Sequence, residues 1–371
     1  MRTGVSGINL HIIGLTYRAI TWGCIILLLV RWVKYANDGL VGRKYFLIQI
    51  CILLIAFYSY YNSGRDELLL CIIFIIGAVN TSRDDAFRTA FRANTIGMLI
   101  VIICALTGII SNSMTVSLRN GANVSRYSMG FSHPNAFAAL VLQLTALYIY
   151  FNFKTIKVRH LLLLEVANYF IFRVTYSRTS FVLATLLLMV IFIYKKASRI
   201  GLNRLSEWVI NNTSKVVLLL GAAGSIYVAL NYRKNLQIFS FLTNGDTLQT
   251  RIRLLGQALE IYPITLFGQV INTVRSSEYN FTLGNGVVLD NAYIFLLLAY
   301  GIVLTIVLVV FYLKTLKCEY LNSNVLFVIC AILFIILGFS EKYFVSPMYN
   351  FTLLGLADVF YQGTPKIHNN R

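Results

Sequence analysis

Long apolar runs alternate with short polar loops along almost the whole chain. Most runs are roughly 20 residues long, which is the length that an α-helix needs to cross a bilayer. The pattern predicts about eleven such spans, at residues 13–33, 45–61, 68–80, 94–111, 134–153, 160–176, 180–194, 215–231, 291–312, 324–339 and 345–361. It favours an all-α fold, a polytopic transmembrane helical bundle of about 10 to 12 spans in one integral membrane domain over residues 1–371.

Composition supports this class of protein. Hydrophobic residues make up 58% of the chain, charged residues make up 12%, and the mean hydropathy is +0.72. A water-soluble core does not need so large an apolar share. We therefore expect an integral membrane protein, and the absence of nucleotide or dinucleotide glycine motifs argues against a nucleotide-driven pump or a nicotinamide enzyme.

The net charge of +18 bears on topology. Lysines and arginines concentrate in one alternating set of loops and in the C-terminal tail, which predicts that those segments are cytoplasmic. The N-terminus and the long loop at residues 232–289 would then be extracytoplasmic. Because the basic residues are spread over many short loops, we expect them to meet anionic membrane lipid and expect no nucleic-acid partner.

Neither a cofactor nor a metal is expected. The six cysteines fall in predicted spans or on the cytoplasmic side, and the four histidines are scattered, so no metal-ligand spacing recurs.

The extracytoplasmic loop at 232–289 contains one predicted amphipathic helix. Asp246 and Gln249 have the spacing of a capping box, and Pro263 marks the end of the pattern. An apolar stripe follows Leu248, Ile252, Leu255 and Leu259. Arg251 flanks this stripe and Arg253 points away from it, so we expect a helix lying along the membrane surface.

Three arginines, Arg126, Arg178 and Arg251, lie at the same predicted membrane surface. No acidic residue occurs between Glu165 and Glu207 to pair locally with Arg178. Such guanidinium groups suit an anionic ligand, although an arginine at a helix end also reaches lipid phosphates without any further function.

Short motifs occur in a recognisable order. They are Arg126-Tyr127-Ser128-Met129-Gly130-Phe131-Ser132-His133-Pro134-Asn135, then Ser177-Arg178-Thr179, Arg251 with Leu255 and Leu259, Pro263 before Gly268, Asp290-Asn291-Ala292-Tyr293, and Glu341 before Pro347 and Asn350. Between about Arg119 and Asn350 the chain resembles the superfamily of O-antigen ligases and Wzy-type polysaccharide polymerases.

This resemblance implies a metal-independent membrane glycosyltransferase that uses an undecaprenyl-pyrophosphate-linked oligosaccharide as donor. It implies a bacterial cytoplasmic (inner) membrane location with the active site on the extracytoplasmic face, and flippase and chain-length regulator proteins as partners. Asp290 stands before Asn291 where ligases carry histidine, which favours a polymerase making exopolysaccharide, capsule or O-antigen. Leu255 and Gln269-Val270 also depart from the family pattern.

Each predicted site residue has a role and an alternative. Arg126, Arg178 and Arg251 would stabilise the departing pyrophosphate. Glu341 leads as the catalytic base and Asp290 is the second catalytic candidate, yet Glu341 equally suits a salt bridge and Asp290 a helix cap. Secondary candidates are His133, Asn135 and Asn291, and His133 also suits purely local structure at a helix start. Asp246, Glu260 and Glu278 are further extracytoplasmic acids.

Two other function classes stay open at this stage. An O-antigen ligase-type transferase would use the same donor with a different acceptor. A lipid-linked oligosaccharide flippase would move the unit between leaflets, and it would place its polar residues near the bilayer midplane. A non-catalytic scaffold of an envelope-assembly complex is also compatible with these residues.

Overall fold

The computed structural model describes residues 10–39, 41–119, 122–232, 247–274 and 286–361. The helices of the first half are α1 (Leu10–Asn37), α2 (Arg43–Ser63), α3 (Glu67–Gly77), α4 (Arg83–Leu106), α5 (Pro134–Asn152), α6 (Val158–Thr175) and α7 (Arg178–Arg199). Those of the second half are α8 (Asn203–Leu219), α9 (Ser225–Leu230), α10 (Thr247–Ile261), α11 (Ala292–Phe295), α12 (Gly301–Leu321), α13 (Val325–Gly338) and α14 (Leu356–Phe360).

Two π-helical turns join neighbouring helices into longer rods. Leu220–Gly224 connects α8 to α9, and Leu296–Tyr300 connects α11 to α12. Two 3₁₀ turns, Lys342–Val345 and Phe351–Gly355, lie between α13 and α14. The predicted all-α class is therefore correct for the described residues, apart from one small hairpin.

Seven helical segments in the described part of the chain are long and apolar enough to cross a membrane. They are Arg18–Asn37, Arg43–Ser63, Arg83–Leu106, Pro134–Asn152, Arg178–Ser198, Arg204–Leu230 and Ala292–Leu321. The predicted count of about eleven stays a prediction. Three apolar helices are shorter than 18 residues: Glu67–Gly77, Val325–Gly338 and Phe351–Phe360. Helix α6 is long enough, but it carries three charged residues, Arg159, Glu165 and Arg173.

The outward surface of the bundle is apolar. Leu27, Leu54 and Leu163 are 70%, 62% and 66% exposed, and they lie on three different helices. A surface with so many large exposed aliphatic side chains is unfavourable in water and suits the hydrocarbon interior of a bilayer. By contrast, α13 is buried along most of its length and packs against α7, α8 and α12, so it forms the centre of the bundle.

The sequence analysis missed one element, a β-hairpin on the predicted extracytoplasmic side. Strands β1 (Met114–Arg119) and β2 (Ala122–Tyr127) pair antiparallel, with Thr115 opposite Arg126. The signal was present, because Asn120-Gly121 separates two segments of alternating apolar and polar residues. The two segments lie in the connection between the predicted spans 94–111 and 134–153, and each is only six residues long.

The continuous helix formed by α11 and α12 is interrupted at Gly301, and a neighbouring segment accepts hydrogen bonds from the backbone amides there. Gly301 has a positive φ of 86°, where the helical ladder is interrupted. The amide groups of Ile302 and Val303 donate instead to the carbonyls of Thr265 and Leu266, over 3.0 and 3.1 Å. Irregular backbone at membrane depth needs such partners, because lipid offers none.

At the end of the bundle away from the hairpin, a partly buried ionic network joins three helices. Arg83, at the start of α4, bonds to Glu319 near the end of α12 and lies 3.2 Å from Asp358 in α14. Asn324, which caps α13, donates to the same Glu319 carboxylate over 2.6 Å. These contacts bring together segments that the charge pattern assigns to the cytoplasmic side, while the hairpin and α10 lie at the other end.

Replacing Gly268 should destabilise the fold. Its φ is +88°, and an added Cβ would lie 2.2 Å from the Ala299 carbonyl oxygen, in the contact that fills the helix break. We expect Gly268→Ala to cost at least about 1 to 3 kcal/mol from backbone strain alone, measured as a lower thermal unfolding temperature in detergent.

The matched control is Gly97→Ala. Gly97 is exposed within α4 and nothing lies within 4 Å of its added Cβ, so this variant should unfold at or above the wild-type temperature. Equal unfolding temperatures for the two variants would contradict the packing described at the break.

Candidate functional site

Arg126 is buried at the base of the hairpin. Its side chain is among the buried charged groups, with 6% of its surface exposed. The guanidinium donates from Nε to the Thr175 carbonyl over 2.8 Å and from a terminal nitrogen to Asn135 Oδ1. A buried cation requires such partners, and these two fix its position between the hairpin, α5 and the end of α6.

Asn135 connects Arg126 to a carboxylate. It lies in the first turn of α5, where His133 is the N-cap and accepts a hydrogen bond through Nδ1 from the Asn135 amide, with Pro134 between them. The Asn135 side chain is therefore held facing inward, and its Nδ2 donates to Glu341 Oε1 over 2.6 Å. His133 thus has the structural role considered for it at a helix start, whereas Asn135 joins the two principal charges.

Glu341 lies just after α13, at the N-cap of the 3₁₀ turn that begins at Lys342. It is 5% exposed. Arg251 approaches it from α10, with a guanidinium nitrogen 3.9 Å from Glu341 Oε1, and its other terminal nitrogen donates to the Ser340 carbonyl over 3.1 Å. The salt bridge considered from the sequence is present but long, and the hydrogen bond to the Ser340 carbonyl is the closer of the two contacts of Arg251.

The side chains of α10 are oriented as its apolar stripe predicted. Ile252 and Leu255 are buried, Arg251 is half-buried at their flank, and Arg253 is exposed. Among the described residues the helix spans Thr247–Ile261 and ends before Pro263, as expected for its C-terminal end. Asp246, the predicted cap, and Glu278 lie outside the described residues. Glu260 is exposed and accepts a hydrogen bond from the Tyr232 hydroxyl.

The interpretation of Asp290 as a helix cap is wrong. The cap of α11 is Asn291, whose Oδ1 accepts hydrogen bonds from the amides of Tyr293 and Ile294. Its Nδ2 donates to Ser225 Oγ and to the Phe339 carbonyl, which ties α11 to α9 and to the end of α13. Asn291 is thus a structural anchor, and the neighbouring Asp290 carboxyl lies close enough to Glu341 for their charges to interact.

Arg178 is placed near the cluster and not within it. It is the first residue of α7 and is exposed. Its guanidinium makes no hydrogen bond or ion pair with any residue that the structure describes. Because Thr175, three residues earlier, accepts from Arg126, Arg178 lies at the same end of the bundle. The structure therefore joins Arg126, Asn135, Glu341 and Arg251, and leaves Arg178 open toward solvent.

The carboxyl groups of this cluster hold protons more tightly than usual. Burial, and secondarily the nearby Asp290 charge, raises the pKa of Glu341 to about 8, against the lowering effects of Arg251, Arg126 and the Asn135 amide. Burial also raises the pKa of Asp290, although Arg251 and Lys342 oppose this. Near neutral pH Glu341 is therefore mostly protonated and offsets little of the positive charge of Arg126 and Arg251, which suits an anionic ligand.

Sequence reasoning missed two contributors. The Ser340 carbonyl holds Arg251, and no side-chain pattern signals a backbone acceptor. Tyr343 packs its ring 4.6 Å from the Tyr349 ring beside the two carboxyls, and its pKa is raised by burial and then by Glu341. Among the described residues no group of three or more His, Cys, Asp or Glu is arranged to hold a metal ion.

Comparison with known proteins adds no assignment. No family model matches the chain, and no curated protein or solved structure matches it significantly. The class that the fold and the site define is thus a helical protein with membrane-length apolar helices and a cluster of arginine, amide and carboxyl groups at one end.

The raised pKa of Glu341 predicts a pH-dependent stability. The folded state binds the Glu341 proton up to about pH 8, whereas the ordinary value is 4.5. This contribution to stability is complete below about pH 4.5 and is lost progressively as pH rises to about 8. We expect the thermal unfolding temperature to fall across that window and this slope to shrink in Glu341→Gln.

The control is Glu260→Gln, which changes an exposed carboxyl at the same end of the bundle. It should leave the slope as in the wild type. If Glu341→Gln keeps the full slope, burial of a protonated Glu341 is the wrong explanation.

Proposed function

We propose that this protein is a membrane glycosyltransferase that polymerises undecaprenyl-pyrophosphate-linked oligosaccharide repeat units into a bacterial exopolysaccharide, capsule or O-antigen. The observation that carries the proposal is the contact chain from Arg126 through Asn135 to Glu341, with Arg251 on its other side. It combines fixed cations for a diphosphate with a carboxyl that exchanges a proton near neutral pH. The motif resemblance supplies the donor class.

The reaction requires one proton acceptor and one stabilised leaving group. The acceptor sugar's hydroxyl oxygen forms a bond to the anomeric carbon of the donor, while the bond from that carbon to the diphosphate oxygen breaks. The hydroxyl proton moves to the Glu341 carboxylate, and the bonding electron pair leaves with the lipid diphosphate. A general base works best with a pKa near the operating pH, and the raised pKa of Glu341 satisfies this condition.

The three arginines take different parts in this scheme. Arg126 is buried and already bonded to Thr175 and Asn135, so it acts by orienting Asn135 and by its charge. Arg251 and Arg178 are more accessible and present donors to an approaching diphosphate. A planar guanidinium matches two phosphate oxygens at once, and it is most effective in a water-poor site.

Asp290 is the second acid in the scheme. Its charge raises the pKa of Glu341, so an unprotonated Asp290 makes Glu341 a stronger base. A protonated Asp290 leaves more positive charge facing the diphosphate. In this scheme Glu341 accepts the proton, and the protonation state of Asp290 sets how much negative charge faces the diphosphate.

A lipid-linked oligosaccharide flippase is the rival that has an observation in its favour. Glu165 lies midway along α6 and accepts a 2.7 Å hydrogen bond from Thr185 on α7, which is a polar contact between two helices of the bundle. Discontinuous helices also occur in transporters. At the Gly301 break, however, two amides already donate to the segment at 265–269 and do not face a substrate. An O-antigen ligase-type transferase differs from the polymerase only in its acceptor.

Purified protein should lengthen glycans without any other sugar donor. Given only lipid-linked repeat units, with a chelator and no nucleotide sugar, we expect a ladder of products on gels. Glu341→Gln should shorten or abolish the ladder while still binding the lipid-linked unit, since an amide keeps the shape but cannot accept the proton.

Transport of the unit between leaflets with no lengthening would refute the polymerase and favour the flippase. Transfer only to a different acceptor glycan would favour the ligase-type reaction.

Arg251 and Arg253 provide a matched pair on one helix. Arg251→Lys keeps the charge but loses the two-pronged geometry, and we expect roughly a hundred- to thousand-fold loss of polymerisation rate. Arg178→Lys should also lose most activity. Arg253→Lys, at an exposed position on the other side of α10, should change the rate little.

The rates are to be measured on variants whose unfolding temperatures equal that of the wild type. Similar losses at Arg251 and Arg253 would show that the stripe does not direct Arg251 to the site.

A further inference from the structure

A cavity lies at the end of the bundle opposite the cluster of Arg126, Asn135, Glu341 and Arg251. Its volume is about 630 Å³, within the range of about 300 to 1,000 Å³ that small-molecule sites occupy. It is formed by the α5–α6 connection, the first turn of α6 and the last turns of α7. Its lining residues include four lysines, Lys154, Lys157, Lys195 and Lys196.

One of the four lysines makes hydrogen bonds within the cavity wall, and the other three are exposed at its opening. Lys195 donates to the carbonyls of Phe153 and Ile156 over 2.8 and 2.6 Å, so it holds α7 against the α5–α6 connection. Lys154, Lys157 and Lys196 are exposed at the rim. No acidic residue is among those that line the cavity. The opening therefore has a concentrated positive charge.

The other part of the lining is apolar. Val158, Leu161 and Phe192 contribute to the cavity, and Val158 and Phe192 are also exposed on the apolar outer surface of the bundle. A soluble anion would use only the lysines. The combination of a basic rim with an apolar wall that continues onto the lipid-facing surface suits a ligand with a charged head and hydrocarbon chains.

The position of the cavity relative to the membrane surfaces agrees with such a ligand. Helix α6 has 18 residues and runs from Val158 at the cavity to Thr175, whose carbonyl holds Arg126 at the other end. At 1.5 Å per residue its length is about 27 Å, close to the hydrocarbon thickness of a bilayer, about 30 Å. If the arginine cluster lies at one membrane surface, the lysine cavity lies at the other.

From these features we infer that the cavity binds an anionic phospholipid, with the headgroup phosphate on Lys154, Lys157 and Lys196 and an acyl chain along Val158, Leu161 and Phe192. Basic pockets between helices are the sites that recognise such headgroups. This inference does not depend on the reaction proposed for the arginine cluster, because it uses none of the same residues.

The test compares bound lipid in two variants that lose equal charge at the same end of the bundle. Full-length protein is placed in phosphatidylcholine nanodiscs containing a few per cent diphosphatidylglycerol, and retained diphosphatidylglycerol is measured by mass spectrometry. Lys154→Gln/Lys196→Gln should bind it roughly 30-fold more weakly. Lys314→Gln/Lys317→Gln, at exposed positions on α12, should bind it as the wild type does.

Equal weakening in both variants would overturn the inference, because a general surface charge would then explain the binding. A second arm adds inorganic phosphate to protein in phosphatidylcholine alone. If phosphate raises the unfolding temperature as much as the anionic lipid does, the cavity is a simple anion site and the apolar wall has no role.

Discussion

The cluster of arginine, amide and carboxyl groups depends on the burial of Arg126 and Glu341 on either side of Asn135. The three residues come from the hairpin, the start of α5 and the turn after α13, which are far apart in the chain. Neither a buried guanidinium nor a buried carboxyl group is stable in an apolar interior without hydrogen-bond partners. Each therefore requires the other's segment to be in place, and Asn135, with both a donor and an acceptor, satisfies the two together.

Local structure holds these groups before any ligand arrives. The His133 cap fixes the first turn of α5, the Thr175 carbonyl fixes Arg126, and the Ser340 carbonyl fixes Arg251. Donors that are held in this way need little reorganisation when negative charge develops nearby. Most of the fixing partners are backbone carbonyls and caps, so the charge arrangement follows from the fold and uses few additional side chains.

Much of the fold follows from hydropathy, whereas the details of the site do not. The α10 stripe correctly separated Arg251 from Arg253, because a period near 3.6 determines which side chains share a face. The predicted span at 94–111 begins inside α4, because Ser82 caps that helix and it runs from Arg83 to Leu106. The contact between Asn135 and Glu341 spans 206 residues, and no local pattern specifies a pairing at that distance. Asp290 and Asn291 illustrate the same limit, since either side chain suits a cap and only the packing against Ser225 and Phe339 selects Asn291.

The break at Gly301 has a mechanical consequence for α10. The segment at 265–269 is bonded to the backbone around the break, so the C-terminal end of α10 is anchored to the core only a few residues beyond Ile261. Arg251 lies ten residues before that end, about 15 Å along the helix axis. A tilt of about 10° about the anchored end moves the guanidinium by about 3 Å, comparable to one hydrogen-bond length. The buried Ile252 and Leu255 lie beside Arg251 on the same helix, so such a tilt would also displace the apolar stripe. The distance from Arg251 to Glu341 is therefore set by the packing of α10 and by the hydrogen bond to Ser340.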